Sequence, residues 1–405
     1  MLSLLSSGSN AQGQLGNSSL DDSHVFKASL FAGQPSRSLP PGTSRVIDVA
    51  TGANHTLVLL ELAGNKREIW GCGDGTKGQL GLNYQKGVSE GLSPTVFRKI
   101  HLGLGESGLE HYTFKFIAAT WETSYIVLSC EGKPDVVLSM GSNDYGDLGV
   151  GGSKHSPTDF HIVRFDHIAP VSERWEVQFI SSGQRHVLLS IKSNDASLLV
   201  GWGTSRHGQL GNPSNTPFSS TPRIVSHQND PPIISSSLGI HHTIFLHDSG
   251  RISGLGSNRK GQLQVVESPD LGNTDIGCTW NGTYVIVEGR IVYSSGSNSH
   301  HQLGRQNGGS EPVAIVEFPE SLGHSSLKIA CGSEHVLTLC SSEQVWGWGW
   351  NEHGNLGLGH TGDAPAPVRL WPPSYLDDRV SSIQGIWAGL GTSWICAEID
   401  GEPYP

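Results

Sequence analysis

Short apolar runs, four to seven residues long and bounded by glycine, recur along the whole chain. Val46-Ile-Asp-Val-Ala50, His55-Thr-Leu-Val-Leu-Leu60 and Glu68-Ile-Trp-Gly-Cys72 are three in succession. Their β-branched and aromatic content, their brevity and their flanking turn residues predict strands rather than helices. No run approaches the ~18 apolar residues of a membrane-spanning helix, so no membrane partner is expected.

Two motifs punctuate these runs and alternate strictly. The first reads Gly-Ser-Asn-Ala-Gln-Gly-Gln-Leu-Gly from Gly8 to Gly16 and returns with its first glycine at Gly73, Gly141, Gly203, Gly256, Gly296 and Gly349. The second reads Gly52-Ala-Asn-His55 before a strand, with His186, His242 and His335 in equivalent places. Three further copies lack the histidine: Thr120-Trp-Glu-Thr123, Thr279-Trp-Asn-Gly282 and Gly389-Leu-Gly-Thr392. Seven copies of each motif, 40 to 68 residues apart with three or four strands per period, predict an all-β, seven-bladed β-propeller. A solenoid would need polar caps, and neither end of the sequence reads as one. Instead, the strand-like Leu2-Ser-Leu-Leu5 supplies what the last repeat lacks. Residues near 2–7 are therefore expected to pair with residues near 393–399, closing one blade with both termini and removing a free sheet edge.

Composition changes meaning under this reading. A chain of 405 residues suggests two or three domains, but seven repeats use residues 1–405 in one. The 53 glycines are punctuation for turns, where positive φ is needed. With 26 Lys plus Arg against 37 Asp plus Glu, a net charge of −11 and no basic run, direct DNA binding is not expected. Cys72, Cys130, Cys278, Cys331, Cys340 and Cys396 form no Cys-x-x-Cys pair, which argues against a structural zinc site. The N-terminus carries no basic region of a secretory signal. A reducing compartment, the cytoplasm or the nucleus, is the expectation.

The chemistry-bearing residues point to binding. His55, His186, His242 and His335 sit on different blades, too far apart for ~2 Å metal bonds, and read as makers of one shared structural hydrogen bond. Gly201-Trp-Gly203 lacks the helix and Lys-Ser/Thr of a phosphate cradle. No catalytic residue, metal, cofactor or small-molecule substrate is assigned. The variable residues inside the two motifs are expected to emerge on one face. Trp121, Glu122, Arg185, Arg206, His207, His241, Arg259, Trp280, Asn281, Glu334 and His353 are the candidate partner-binding residues there. Tryptophan, tyrosine and arginine dominate interface hot spots. The competing reading of Trp121 and Trp280 is that they plug the gap left by the missing histidine. Trp70, Trp202, Trp346 and Trp348 precede the first motif on strands and read as packing. Three inserts, about 17–44, 83–114 and 151–174, are placed on the outer rim.

The Gly-x-Asn-x-x-Gly-Gln-Leu-Gly turn and the Gly-x-x-His strand resemble the repeat of the regulator of chromosome condensation family, over about residues 2–400. That resemblance implies the seven-bladed propeller independently. Within the family, Cys331-Gly-Ser-Glu-His335 and Trp346-Gly-Trp-Gly-Trp-Asn-Glu-His-Gly-Asn355 are similar to the fungal α-tubulin suppressor proteins. This narrower resemblance implies a non-catalytic accessory subunit. It would form a heterodimer with a small metal-binding, zinc-ribbon-like protein of diphthamide synthesis, and through it support Elongator-dependent modification of tRNA wobble uridines. The founding member's activity implies the alternative, guanine-nucleotide exchange on a Ras-like GTPase; its β-wedge would have to lie in the 83–114 insert. The plant ultraviolet-receptor branch is a third resemblance, but its Gly-Trp-Arg-His-Thr repeat is absent, and Arg185-His186 lacks the preceding tryptophan.

Overall fold

The computed structural model describes residues 2–34, 38–152, 159–168, 174–193, 197–211, 217–225, 232–267, 272–305, 311–319, 327–340, 344–373 and 380–400. These residues form seven antiparallel sheets, the seven blades of a β-propeller. In chain order, blade 1 holds strands Thr43–Thr51, His55–Leu62, Lys66–Gly73 and Arg98–Lys99. Blade 2 holds Thr113–Ala119, Thr123–Ser129, Val136–Gly141 and His161–Ile162, and blade 3 holds Glu176–Ser182, His186–Lys192, Ser197–Thr204 and Phe218–Ile224. Blade 4 holds Ile233–Leu238, His242–His247 and Ile252–Gly256. Blade 5 holds Asn273–Cys278, Gly282–Val287, Ile291–Gly296 and Val313–Ile315. Blade 6 holds Leu327–Cys331, His335–Cys340, Gln344–Gly349 and Ala364–Trp371.

Blade 7 is built from both ends of the chain. Val380–Ala388 and Thr392–Ile399 are joined by Leu2–Gly8 and Ser23–Ala28. The register runs from Leu2 opposite Glu398 to Gly8 opposite Thr392, which is the closure expected from the sequence. The second strand of each blade is buried almost throughout, and the apolar clusters lie between successive blades. Leu57, Leu59, Ile126 and Leu138 belong to one between blades 1 and 2. Tyr125, Val187 and Trp202 belong to the next.

The chain falls into two compact units. Residues 12–16 and 40–230 carry blades 1 to 3, and residues 1–11, 17–39 and 231–405 carry blades 4 to 7. In the first unit, the 83–114 insert is helical over Leu82–Ser89, with a 3-10 turn at Leu104–Ser107. Tyr84 anchors it, its hydroxyl donating to the Gly73 carbonyl at 3.0 Å. Parts of the 17–44 and 151–174 inserts lie outside the described residues.

The motifs acquire physical causes here. In all seven blades, the N–H after the first glycine of the first motif donates to the carbonyl of the residue just before the histidine position of the second. Asp74 to Asn54 at 2.7 Å and Thr204 to Arg185 at 2.7 Å are examples. Both motifs therefore meet at one end of each blade. That first glycine is held at positive φ, for instance 95° at Gly73, and a Cβ there would overlap the accepting carbonyl. The motif glutamine accepts the N–H two residues before it, as Gln79 does from Lys77 at 2.9 Å. The motif asparagine accepts from the leucine five residues on, as Asn351 does from Leu356 at 2.8 Å.

Candidate protein-binding face

The repeated histidines are structural. His55 Nε2 bonds Ser124 Oγ of the next blade at 2.9 Å, His242 bonds Thr283 Oγ1 at 3.0 Å, and His335 bonds Ser393 Oγ at 3.1 Å. Burial lowers all three histidine pKa values to about 4, so they are neutral bridges between blades. The ring folds back over the glycine three residues earlier, and a Cβ on Gly52, Gly239 or Gly332 would fall inside it. In blade 5 this arrangement is reversed. Glycine stands at the histidine position, and the threonine that replaces the motif glycine fills the space: a Cβ on Gly282 would lie 2.7 Å from Thr279 Oγ1.

Trp280, like Trp121, is half-buried at the turn. The backbone of these turns forms a belt. Within the first unit the Ala53 N–H donates to the Trp121 carbonyl and the Trp121 N–H to that of Gln184. Within the second, Ile240, Trp280, Ser333 and Leu390 are strung in the same sense. Each of these seven residues follows the first residue of its motif copy. With these backbone polar groups spent on one another, what differs from turn to turn is the side chains.

In the first unit the structure brings Trp121 and Arg185 together and adds Tyr145, 41% exposed. The Arg185 guanidinium lies 4.1 Å from the Tyr145 ring centroid and 5.5 Å from that of Trp121. Such cation–π contacts contribute about 0.5–2 kcal/mol each. Beneath them is Asp147, which occupies the place of the motif glutamine. Its side chain is buried, and Oδ1 has no hydrogen-bond partner. Burial raises its pKa to about 7, while Arg185 pulls it down and Asp144 and Glu122 push it up. Arg206 is exposed and His207 half-buried on the neighbouring loop, where the His207 N–H donates to Gln209 Oε1 at 3.0 Å.

In the second unit the equivalent positions hold Gln302, Glu334 and Asn281. Gln302 Nε2 donates to Glu334 Oε2 at 2.6 Å and Asn281 Nδ2 to Oε1 at 3.1 Å. Burial raises the Glu334 pKa, against these two bonds and the nearby His300. His353 Nδ1 meets Asp22 Oδ2 at 2.7 Å, and His300 Nδ1 meets Asp363 Oδ2 at 3.4 Å. Trp350 stands edge-on to both imidazoles, 5.3 Å from His353 and 6.4 Å from His300 between centroids. His241 is half-buried, its carbonyl taken by the Ser257 N–H at 2.8 Å, and Arg259 is exposed. Sequence reasoning placed Tyr145 among the variable outer-loop residues of this face but did not select Asp147, Trp350 or the two aspartates. The signal lay in the motif columns: aspartate for glutamine at Asp147, tryptophan for a small polar residue at Trp350.

Among the described residues, no group of three or more His, Cys, Asp or Glu side chains is placed to hold a metal ion. Trp202 and Trp348 are wholly buried, and Trp70 and Trp346 nearly so, in keeping with packing. Among the described residues, no helix is long and apolar enough to cross a membrane.

The relatives agree with this architecture. The Ultraviolet-B receptor UVR8 of Arabidopsis thaliana is 26% identical over 85% of this chain and 73% of its own. The RCC1 repeat-containing protein C10F6.04 of Schizosaccharomyces pombe is 24% identical over 98% of this chain and 99% of its own. The Secretion-regulating guanine nucleotide exchange factor of Bos taurus is 28% identical over 89% of this chain and 77% of its own. Among solved structures, human WBSCR16 superposes with a TM-score of 0.76 at 19% identity, covering 99% of this chain and 100% of that one. Prp20p from Saccharomyces cerevisiae gives 0.75 at 19% identity, covering 99% and 92%. The RCC1-like domain model matches residues 3–397, so the chain belongs to the RCC1-like domain family.

Proposed function

We propose that this propeller is a non-catalytic protein-binding subunit, and that the motif-bearing ends of its blades are the binding face. The observation that carries the reading is the Trp121–Tyr145–Arg185 stack: two aromatic rings and a guanidinium at a turn whose backbone bonds are already spent. Such groups bury large area with directional bonds. The partner is a small zinc-ribbon-like, metal-binding protein in a heterodimer. Its pathway is diphthamide synthesis and, through the same partner, Elongator-dependent tRNA modification. The Cys331–Asn355 sequence, similar to the α-tubulin suppressor proteins, supports this assignment. The compartment is the cytoplasm or the nucleus, in keeping with six unbridged cysteines.

Titration calorimetry of the purified chain against the zinc-ribbon-like protein of the same organism tests this. Saturable one-to-one binding is expected; no heat at tens of micromolar would remove the reading. The second reading, exchange on a Ras-like GTPase, draws on the similarity to a protein named as an exchange factor. It requires binding to a GTPase stripped of nucleotide, which the same experiment measures. The 83–114 insert, the place for a wedge in that reading, folds as a helix and a 3-10 turn around one two-residue strand.

A further inference from the structure

Two junctions between blades are built from the same motif columns with opposite polarity. At the junction of blades 5 and 6, Glu334 is an acceptor satisfied by Gln302 and Asn281. At the junction of blades 2 and 3, the same three columns hold Arg185, Asp147 and Glu122. Inverting every charge and dipole would make Arg185 a donor to both carboxylates. The bonds are not made. Arg185 is turned onto Tyr145 and Trp121, none of its guanidinium N–H groups bonds a described residue, and Asp147 Oδ1 is left buried without a partner.

A guanidinium backed by aromatic rings and with its donors unspent fits a carboxylate, which it can hold through two parallel bonds. We propose that Trp121, Tyr145 and Arg185 form a recognition site for an acidic side chain of a protein partner, and that Asp147 is the internal carboxylate competing with that ligand for Arg185. This rests on the reading that the face binds protein. The groups facing Asp147 are Arg185, Glu122, Asp144, the Tyr145 N–H and Tyr125, whose hydroxyl takes the Asp147 carbonyl at 2.6 Å. Asp144 and Glu122 oppose an incoming anion, so a lone carboxylate binds weakly and the rest of the partner surface adds the affinity. Protonation of Asp147, near pH 7, removes the rival. Binding of an acidic ligand therefore tightens as pH falls from 8 to 6.

The test uses the full chain and a capped tetraglutamate peptide bearing a neutral fluorophore, followed by anisotropy, with tetraglutamine and tetralysine as controls. Saturable binding of tetraglutamate alone is expected, several-fold tighter at pH 6 than at pH 8. R185Q should weaken it at least tenfold, and R185K should fall between. D147N should bind at pH 8 as wild type does at pH 6, with the pH dependence gone. Asparagine already occupies this column at Asn355, so D147N should fold. D144N removes a nearby charge but leaves Asp147, and should tighten binding while keeping the pH dependence. Equal binding by R185Q, preference for tetralysine, or an unchanged pH profile in D147N would overturn the proposal. If the zinc-ribbon-like partner binds R185Q as it binds wild type, this inference falls and the protein-binding reading stands. If that partner does not bind wild type, the partner assignment falls and the peptide titration still reads the site.

Discussion

The junctions of blades 2 and 3 and of blades 5 and 6 share one lower storey and differ in the upper one. Below, the Asp147 carbonyl accepts from the Tyr125 hydroxyl at 2.6 Å and from Trp202 Nε1 at 2.8 Å. The Gln302 carbonyl accepts from Tyr284 and Trp348 in the same way, at 2.5 and 2.8 Å. Above, Glu334 is closed by two carboxamides, whereas Asp147 and Arg185 remain unjoined. The shared storey holds blades together. The differing storey decides which junction is sealed and which presents a cation. The same motif columns are thus sealed by hydrogen bonds at one junction and left unjoined at the other.

Disrupting the His335 bridge from blade 6 to blade 7, next to the sealed junction, should have the largest effect. A Cβ on Gly332 would fall inside the His335 ring and against the Gly389 carbonyl, so G332A should cost about 3 kcal/mol or more, read as a lowered denaturation midpoint. Glu334→Ala removes two hydrogen bonds to a buried carboxylate and should cost about 1.5–3 kcal/mol. Arg185→Ala, at the open junction, removes two cation–π contacts on half-exposed rings and should cost about 1–2 kcal/mol while abolishing acidic-peptide binding. A reversal of that order would mean that the open junction is the stabilising one.

Acid sharpens the same contrast. His55, His242 and His335 have folded pKa values near 4, below the ordinary 6.5, so their contribution is present above pH 6.5 and is lost as pH falls toward 4. Asp147 acts in the opposite sense. Its pKa is raised from 3.8 to about 7, so its contribution is full below pH 4 and is lost as pH rises through 7. Melting temperatures between pH 4 and 7 should therefore drop toward acid in wild type, and drop more steeply in D147N. The smallest effect belongs to the half-exposed His353–Asp22 pair: Asp22→Asn should cost under about 1 kcal/mol by denaturant titration.

Much of the fold was legible because the repeats are columns. Seven copies of two motifs gave the blade count, and the position of Leu2–Leu5 ahead of the first turn gave the closing strand. The shared histidine bond was legible as a role but not as a partner. The partner is a Ser or Thr in the next copy, 58 residues away for His335, and only the strand register aligns them. The Arg185 site was legible in part. Arg185 and Trp121 stand at variable turn positions, but Asp147 sits inside a motif where one changed residue reads as drift. Its meaning comes from burial without a partner, which only packing reveals. Trp350 was hidden in a tryptophan-rich run whose neighbours are core.

The central claim is that the open junction is where a protein partner docks. Its most direct test is calorimetric titration of the zinc-ribbon-like partner into wild type and the double variant W121A/R185A, with melting temperatures of both matched beforehand. At least a tenfold loss of affinity in the variant is the predicted result. Equal affinity would place the docking surface elsewhere and contradict the account.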